Sequence, residues 1–172
     1  KIKFMKKKFK KILADLGYEI NKSKLDHIYL NPKEFLPIKE SNDNFQIYKK
    51  AIKKSKNEWS DNFFKQMSSF SLIQLIRYTL KKNEVYDFVE CGCWQGHSSH
   101  IISQLISESK KEINLHIFDS FEGMSKISKE DKIFIDKKEE RKINNIWSVN
   151  ESFVKNEVLK DFNFCKIYKG WI

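Results

Sequence analysis

From Asn83 onward the sequence predicts an α/β domain built on a parallel sheet. Three observations carry this. Short apolar runs at 85–89, 113–118 and 164–168 read as strands. Amphipathic stretches separate them, and the first run leads through a glycine-containing turn into a helix. A strand–helix–strand–helix–strand order implies parallel strands with crossover helices, so ligand loops should lie at the carboxyl ends of the strands.

The elements follow in order. Lys6, Lys7, Lys8, Lys10 and Lys11 accompany Phe4, Phe9, Ile12, Leu13 and Leu16, which recur at near-helical spacing and read as a basic amphipathic helix. Its bland reading is a solvated helix with one face on the domain, and Met5 offers a natural start. Residues 22–57 are polar and irregular, with Pro32, Pro37 and the turn-prone run Ser41-Asn42-Asp43-Asn44, and read as a linker or cap. Phe63, Met67, Phe70, Ile73, Ile76 and Leu80 mark one face of the next helix, which ends at Lys81-Lys82-Asn83. Ile101, Ile102, Leu105 and Ile106 define the helix after the first strand. Ile113, Leu115 and Ile117 share one side of the second strand, and a charged stretch follows. Ser148-Val149-Asn150-Glu151 offers a capping box for a helix with Phe153, Val154, Val158 and Leu159 inward. The organisation expected is therefore a basic helix and cap over 1–60, then the N-terminal half of an α/β domain over 61–172.

Composition narrows the function. The 172 residues suit one domain. No run approaches the about 18 apolar residues of a membrane span, and no secretory signal is visible, so a cytoplasmic location is expected. Cys91, Cys93 and Cys165 lack the paired spacing of a zinc site and read as packing residues. The net charge of +10 invites a nucleic-acid reading. Arg77 and Arg141 are the only arginines, however, and lysine-rich chains lack the bidentate groups that base and phosphate recognition favour.

Two loops carry the chemistry. The first reads Glu90-Cys91-Gly92-Cys93-Trp94-Gln95-Gly96-His97-Ser98-Ser99. Gly92 and Gly96 let the backbone turn sharply beside a ligand, and Ser98 falls in the first helical turn, where free amides favour an anion. S-adenosylmethionine (SAM) offers such an anion in its methionine carboxylate. Its ammonium and sulfonium cations suit Glu90 at the strand end, and Trp94 can cover them with its ring. The second loop reads Phe118-Asp119-Ser120-Phe121-Glu122-Gly123. A carboxylate at Asp119 can accept from both ribose hydroxyls, as in doubly wound nucleotide folds. Taken singly, each motif could be an ordinary turn or cap; in register with the strands, the two form a nucleoside site. A nicotinamide reading is disfavoured because Gly-x-Gly-x-x-Gly is absent. His97 could act as a base, although a solvent-facing loop histidine is the simpler reading, and His116 reads as a strand residue. Trp147 and Trp171 suit core, lid or adenine-bordering positions.

The blocks Asp87-Phe88-Val89-Glu90-Cys91-Gly92-Cys93-Trp94-Gln95-Gly96, Phe118-Asp119-Ser120-Phe121-Glu122-Gly123-Met124, Trp147-Ser148-Val149 through Val154, and Lys169-Gly170-Trp171 together resemble the macrocin O-methyltransferase (TylF-type) family. The first loop is also similar to that of catechol-type O-methyltransferases. The resemblance covers roughly 63–172, with Tyr86 and His97 where the family usually has glycine. It implies a Rossmann-like SAM-dependent methyltransferase fold, incomplete at the C-terminus, preceded by an N-terminal helical extension. It also implies methyl transfer to a hydroxyl of a sugar or another small molecule. Glu90, Gly92, Trp94, Gly96, Ser98, Asp119 and Ser120 are then the cofactor residues. Magnesium is implied too, its ligands and the catalytic base lying beyond the end of this sequence. The alternatives are a catalytically incomplete SAM- or nucleoside-binding fragment, a structural partner that could form a homo-oligomer, and, last, a nucleic-acid methyltransferase.

Overall fold

The computed structural model describes residues 42–82, 84, 86–125 and 147–171. The basic helix expected near the N-terminus, both prolines and the charged stretch at 126–146 lie outside the described residues. The elements are helix α1 (Asn42–Lys54), a 3₁₀ turn (Glu58–Ser60), helix α2 (Phe63–Leu80), strand β1 (Phe88–Cys91), helix α3 (His97–Ser109), strand β2 (Leu115–Asp119), a short helix α4 (Glu151–Phe153) that widens into a π turn (Val154–Val158), and strand β3 (Cys165–Lys169).

Helix α1 falls inside the stretch expected to be irregular. Asn and Asp favour helix starts as well as turns, because their short side chains can bond nearby backbone amides in either setting. What makes this stretch helical is the burial of Ile47, Tyr48, Ala51 and Ile52, whose spacing puts them on one face. Helix α2 begins where Asn62 accepts from the Lys65 amide at 3.0 Å, and its buried face carries Ile73, Ile76 and Leu80 as the spacing predicts. The helix expected from Ser148 starts instead at Asn150, whose Oδ1 accepts from the Ser152 amide at 2.9 Å. Ser148 pairs with Glu122 in an isolated antiparallel bridge, so its backbone is already committed.

The sheet is parallel in the order β1-β2-β3, with Phe88 opposite Leu115, and Leu115 opposite Cys165. Strand β1 starts three residues later than the apolar run suggested. Asp87 supplies the reason: its carboxylate accepts from the Asn114 amide at 2.8 Å and meets His116 Nε2 at 3.1 Å, which ties the chain before β1 to the start of β2. Those bonds, the Asn114 amide foremost, hold the Asp87 carboxyl down at about 2.

Alternation along the strands separates two faces. Leu115 and Ile117 are fully buried and join Ile101, Leu105, Ile106, Val154 and Val158 in one core. The opposite side of the same strands carries Val89, His116, Phe118 and Tyr168, where Val89 is 63% and Tyr168 40% exposed. Helices α1 and α2 both pack on α3, so the helical layer lies over the Leu115 face and ends at the loop after β1.

Candidate cofactor site

The carboxyl ends of β1 and β2 bring the two glycine loops together. Gly92 continues the ladder, its amide donating to the Phe118 carbonyl at 2.8 Å, and then turns with φ +82°. A side chain at Gly92 would meet nothing within 4 Å, so the backbone there borders open space, as close approach of a ligand requires. Gly96 has a different reason to be glycine. Its φ is +76°, and a Cβ would stand 3.1 Å from Val154 Cγ1 and 3.2 Å from Val158 Cγ1. It seats the start of α3 against the π turn.

Asp119 joins the loops. One carboxylate oxygen accepts from the Trp94 amide at 2.9 Å and the other from the Phe121 amide at 2.7 Å. Both donors belong to non-glycine residues in the left-handed region, Trp94 at φ 47° and Phe121 at φ 57°. Strained residues of this kind cluster at ligand sites when the surroundings over-determine them. Each Asp119 oxygen retains a second lone pair for a ligand hydroxyl. Ser120 shapes the turn, accepting from the Glu122 amide and donating to the Gly123 carbonyl, both at 3.2 Å.

Around these loops lies a cavity of about 360 Å³, within the size range of small-molecule sites. Gly92, Trp94, Asp119, Ser120, Trp147 and Trp171 line it. Trp94 and Trp147 lie 4.9 Å apart between ring centroids, and Trp147 and Trp171 are about half exposed. These rings form apolar walls of the cavity. Phe118, Gly123, Met124 and Gly170 complete the lining. Sequence reasoning left Trp147 and Trp171 undecided; their position in the matching blocks beside the loops was the available signal. A larger cleft of about 660 Å³ runs beside β3, bordered by Lys155, Phe162 and Tyr168. It contains neither glycine loop nor a strand-end carboxylate, so the smaller cavity is the better fit to a nucleoside.

Glu90 and Ser98, expected to face the cofactor's amino-acid end, are engaged with each other. Ser98 Oγ and Ser99 Oγ each donate to a different oxygen of Glu90 at 2.5 Å. Burial raises the Glu90 carboxyl above its usual range, opposed by those two serines and reinforced by the charge of Asp119. The pair anchors the first turn of α3 to β1.

His97 is neither solvent-facing nor aimed at the cavity. Its Nε2 lies 3.1 Å from Ser69 Oγ on α2, and its ring meets Tyr48 of α1 edge-on at 5.5 Å. Burial foremost, then the charge of Lys65, lowers it to about 3, which suits a structural imidazole rather than a base near neutral pH. Cys93 is buried, and burial followed by the Asp119 charge pushes its thiol up, as expected of a packing residue. Cys91, Cys93 and Cys165 are all free thiols.

A family model of macrocin O-methyltransferase (TylF) matches residues 33–172, which is most of the sequence and includes α1. The chain belongs to the macrocin O-methyltransferase (TylF) family. Comparison with curated proteins finds no match. Among solved structures, the O-methyltransferase NovP is similar at 18% identity and a TM-score of 0.46, over 58% of this chain and 44% of that one. This TylF-family chain therefore spans less than half the length of that structural relative. Among its described residues, no group of three or more His, Cys, Asp or Glu side chains is placed to hold a metal ion, and no helix is long and apolar enough to cross a membrane.

Proposed function

We propose that this chain carries the cofactor half of a Rossmann-like, SAM-dependent O-methyltransferase that acts on a hydroxyl of a small molecule, with a sugar as the acceptor class. The observation that carries the reading is Asp119, clamped between the Trp94 and Phe121 amides at the mouth of a tryptophan-walled cavity. Family membership supports the reaction class.

The residues fit the cofactor in chemistry and size. Asp119 would take the ribose hydroxyls, Trp147 and Trp171 the adenine faces, and the bare backbone at Gly92 the turn toward the amino-acid end. Ser120 would border the ribose, with Gly96 and Ser98 acting through the loop and through Glu90. When bound, SAM would supply an activated methyl group, taken in line by an acceptor oxygen as the sulfur leaves as a neutral thioether and the hydroxyl gives up its proton. The protein's part is orientation and exclusion of water, which can supply several kcal/mol of the barrier. Three free thiols fit a reducing, cytoplasmic setting.

A second reading, cofactor binding without turnover, draws on the engagement of His97 with α1 and α2, away from the cavity. Calorimetric titration of the full chain with S-adenosylhomocysteine tests the site. We expect one saturable site, weakened about tenfold to a hundredfold by Asp119→Ala through loss of charge-assisted hydrogen bonds. No binding by a folded wild-type chain overturns the cofactor assignment. Binding without transfer to any hydroxyl acceptor favours the second reading. Binding to RNA or DNA that falls steeply with salt would point to the nucleic-acid alternative.

A further inference from the structure

One cation beside the cofactor loop has no part in the site as described so far. Lys65 stands in the first turn of α2, the end of a helix where a positive charge is disfavoured. Its ammonium is half-buried, lies 5.9 Å from the centre of the Trp94 ring, and donates to Ser60 Oγ at 2.8 Å. Among the described residues no carboxylate lies within ion-pair distance of it. Burial accordingly lowers its pKa, opposed by the charge of Asp61. A desolvated cation at the unfavourable end of a helix costs stability unless an anion faces it.

The rest of the site leaves such an anion to be accommodated. On the cofactor assignment proposed above, a nucleoside whose ribose sits on Asp119 would direct its 5′ substituent past the open backbone of Gly92 toward the loop that carries Trp94. Lys65 lies beside that loop, its Nζ 5.9 Å from the centre of the Trp94 ring. The serine hydroxyls at the start of α3 are both donated to Glu90, which leaves the first-turn amides of α3 and a nearby cation to meet a carboxylate. Lys169, at the other end of the site, faces Glu122 at 3.6 Å. The Asp119 carboxylate in the lining disfavours a ligand group that is itself a carboxylate unless a cation offsets it. Building on the cofactor assignment proposed above, we infer that Lys65 is a cofactor-binding residue: its ammonium, seated against Trp94, pairs with the α-carboxylate of the cofactor's amino-acid tail. Trp94 would then contribute twice, walling the cavity with one part of its indole and holding the cation with its face.

The test uses two ligands that share the nucleoside and differ in the tail. S-adenosylhomocysteine has the carboxylate; 5′-methylthioadenosine has no amino-acid group. Each is titrated calorimetrically into the full wild-type chain and into Lys65→Met. We expect the substitution to weaken S-adenosylhomocysteine about tenfold or more, the worth of one charge-assisted pair, and to leave methylthioadenosine unchanged. Unchanged methylthioadenosine affinity also shows that the variant is folded around its site. Unaltered S-adenosylhomocysteine binding by Lys65→Met overturns the inference, as does an equal loss for both ligands. If the wild type binds neither ligand, the cofactor assignment fails and this inference falls with it; the methylthioadenosine titration tells the two failures apart.

Discussion

Gly92 and Gly96 have nearly the same backbone conformation and opposite surroundings, so alanine at each should separate conformational strain from packing. Both substitutions place a Cβ in the left-handed region, at φ +82° and +76°, which costs about 1–2 kcal/mol. At Gly92 that is the whole cost, because the new methyl meets nothing within 4 Å. At Gly96 the methyl meets Val154 Cγ1 at 3.1 Å and Val158 Cγ1 at 3.2 Å, closer than ordinary contact by a few tenths of an ångström, and overpacking of that kind adds about 1 kcal/mol or more. Both valines are fully buried and cannot simply turn away. Gly96→Ala should therefore cost about 2–3 kcal/mol and Gly92→Ala about 1–2 kcal/mol. Urea unfolding followed by circular dichroism measures both. The order should reverse for S-adenosylhomocysteine affinity, because Gly92 lines the cavity and Gly96 does not. A double variant Gly96→Ala/Val158→Ala should be less destabilised than the two single changes summed, as their shared contact is removed. Equal costs at the two glycines, or strict additivity of the pair, would refute the packing argument for Gly96.

Acid should weaken the fold through His100. It is fully buried, neither ring nitrogen has a hydrogen-bond partner, and burial foremost, then Lys50 and Lys54, lowers it to about 4. Its folded pKa lies below the unfolded value of 6.5, so the unfolded chain binds the extra proton; stability is highest above pH 6.5 and falls as pH drops toward 4, by up to about 3 kcal/mol. Urea midpoints at pH 7.5 and 5 should show this, and His100→Leu should flatten the dependence; an unchanged slope would show that other groups control it. Asp119→Asn should destabilise by about 1–3 kcal/mol, because its new NH₂ must face either the Trp94 or the Phe121 amide, donor against donor. Faster hydrogen exchange at one of those two amides is the expected sign, and a variant as protected as wild type would refute the clamp.

Much of the fold was legible because burial on one side imposes a period. Ile101, Ile102, Leu105 and Ile106 lie inward as their spacing predicts, and so do Leu115 and Ile117. The misses come from residues with two uses. Asn42 to Asn44 read as a turn because the same side chains that close turns also start helices. Ser148 and Asn150 are both cap formers, and the choice between them depends on the bridge Ser148 makes to Glu122, a long-range pairing with no local mark. Within the site, Gly92 and Gly96 look alike in sequence, whereas only the partner surface of Val154 and Val158 distinguishes them. Ser98 was placed correctly at the first turn of α3, but its hydroxyl serves Glu90, an assignment that requires three dimensions. The position of His97 beneath α1 was out of reach because α1 itself had not been read.

The local strain and the acidity of the site have a common origin in Asp119. Holding Trp94 and Phe121 in the left-handed region costs about 1–2 kcal/mol each, whereas a hydrogen bond to a charged group contributes about 1.5–3 kcal/mol, so one ionised carboxylate can offset both loops. Burial foremost raises both the Glu90 carboxyl and the Cys93 thiol, and the charge of Asp119 adds to each. Asp119 stands where ribose hydroxyls would be received. Its charge repels a carboxylate, and a ligand carrying hydroxyls, an ammonium and a carboxylate needs a cation displaced from Asp119 yet within reach of its tail. Lys65, half-buried against the ring of Trp94 in the loop that Asp119 holds, is the cation proposed for that place.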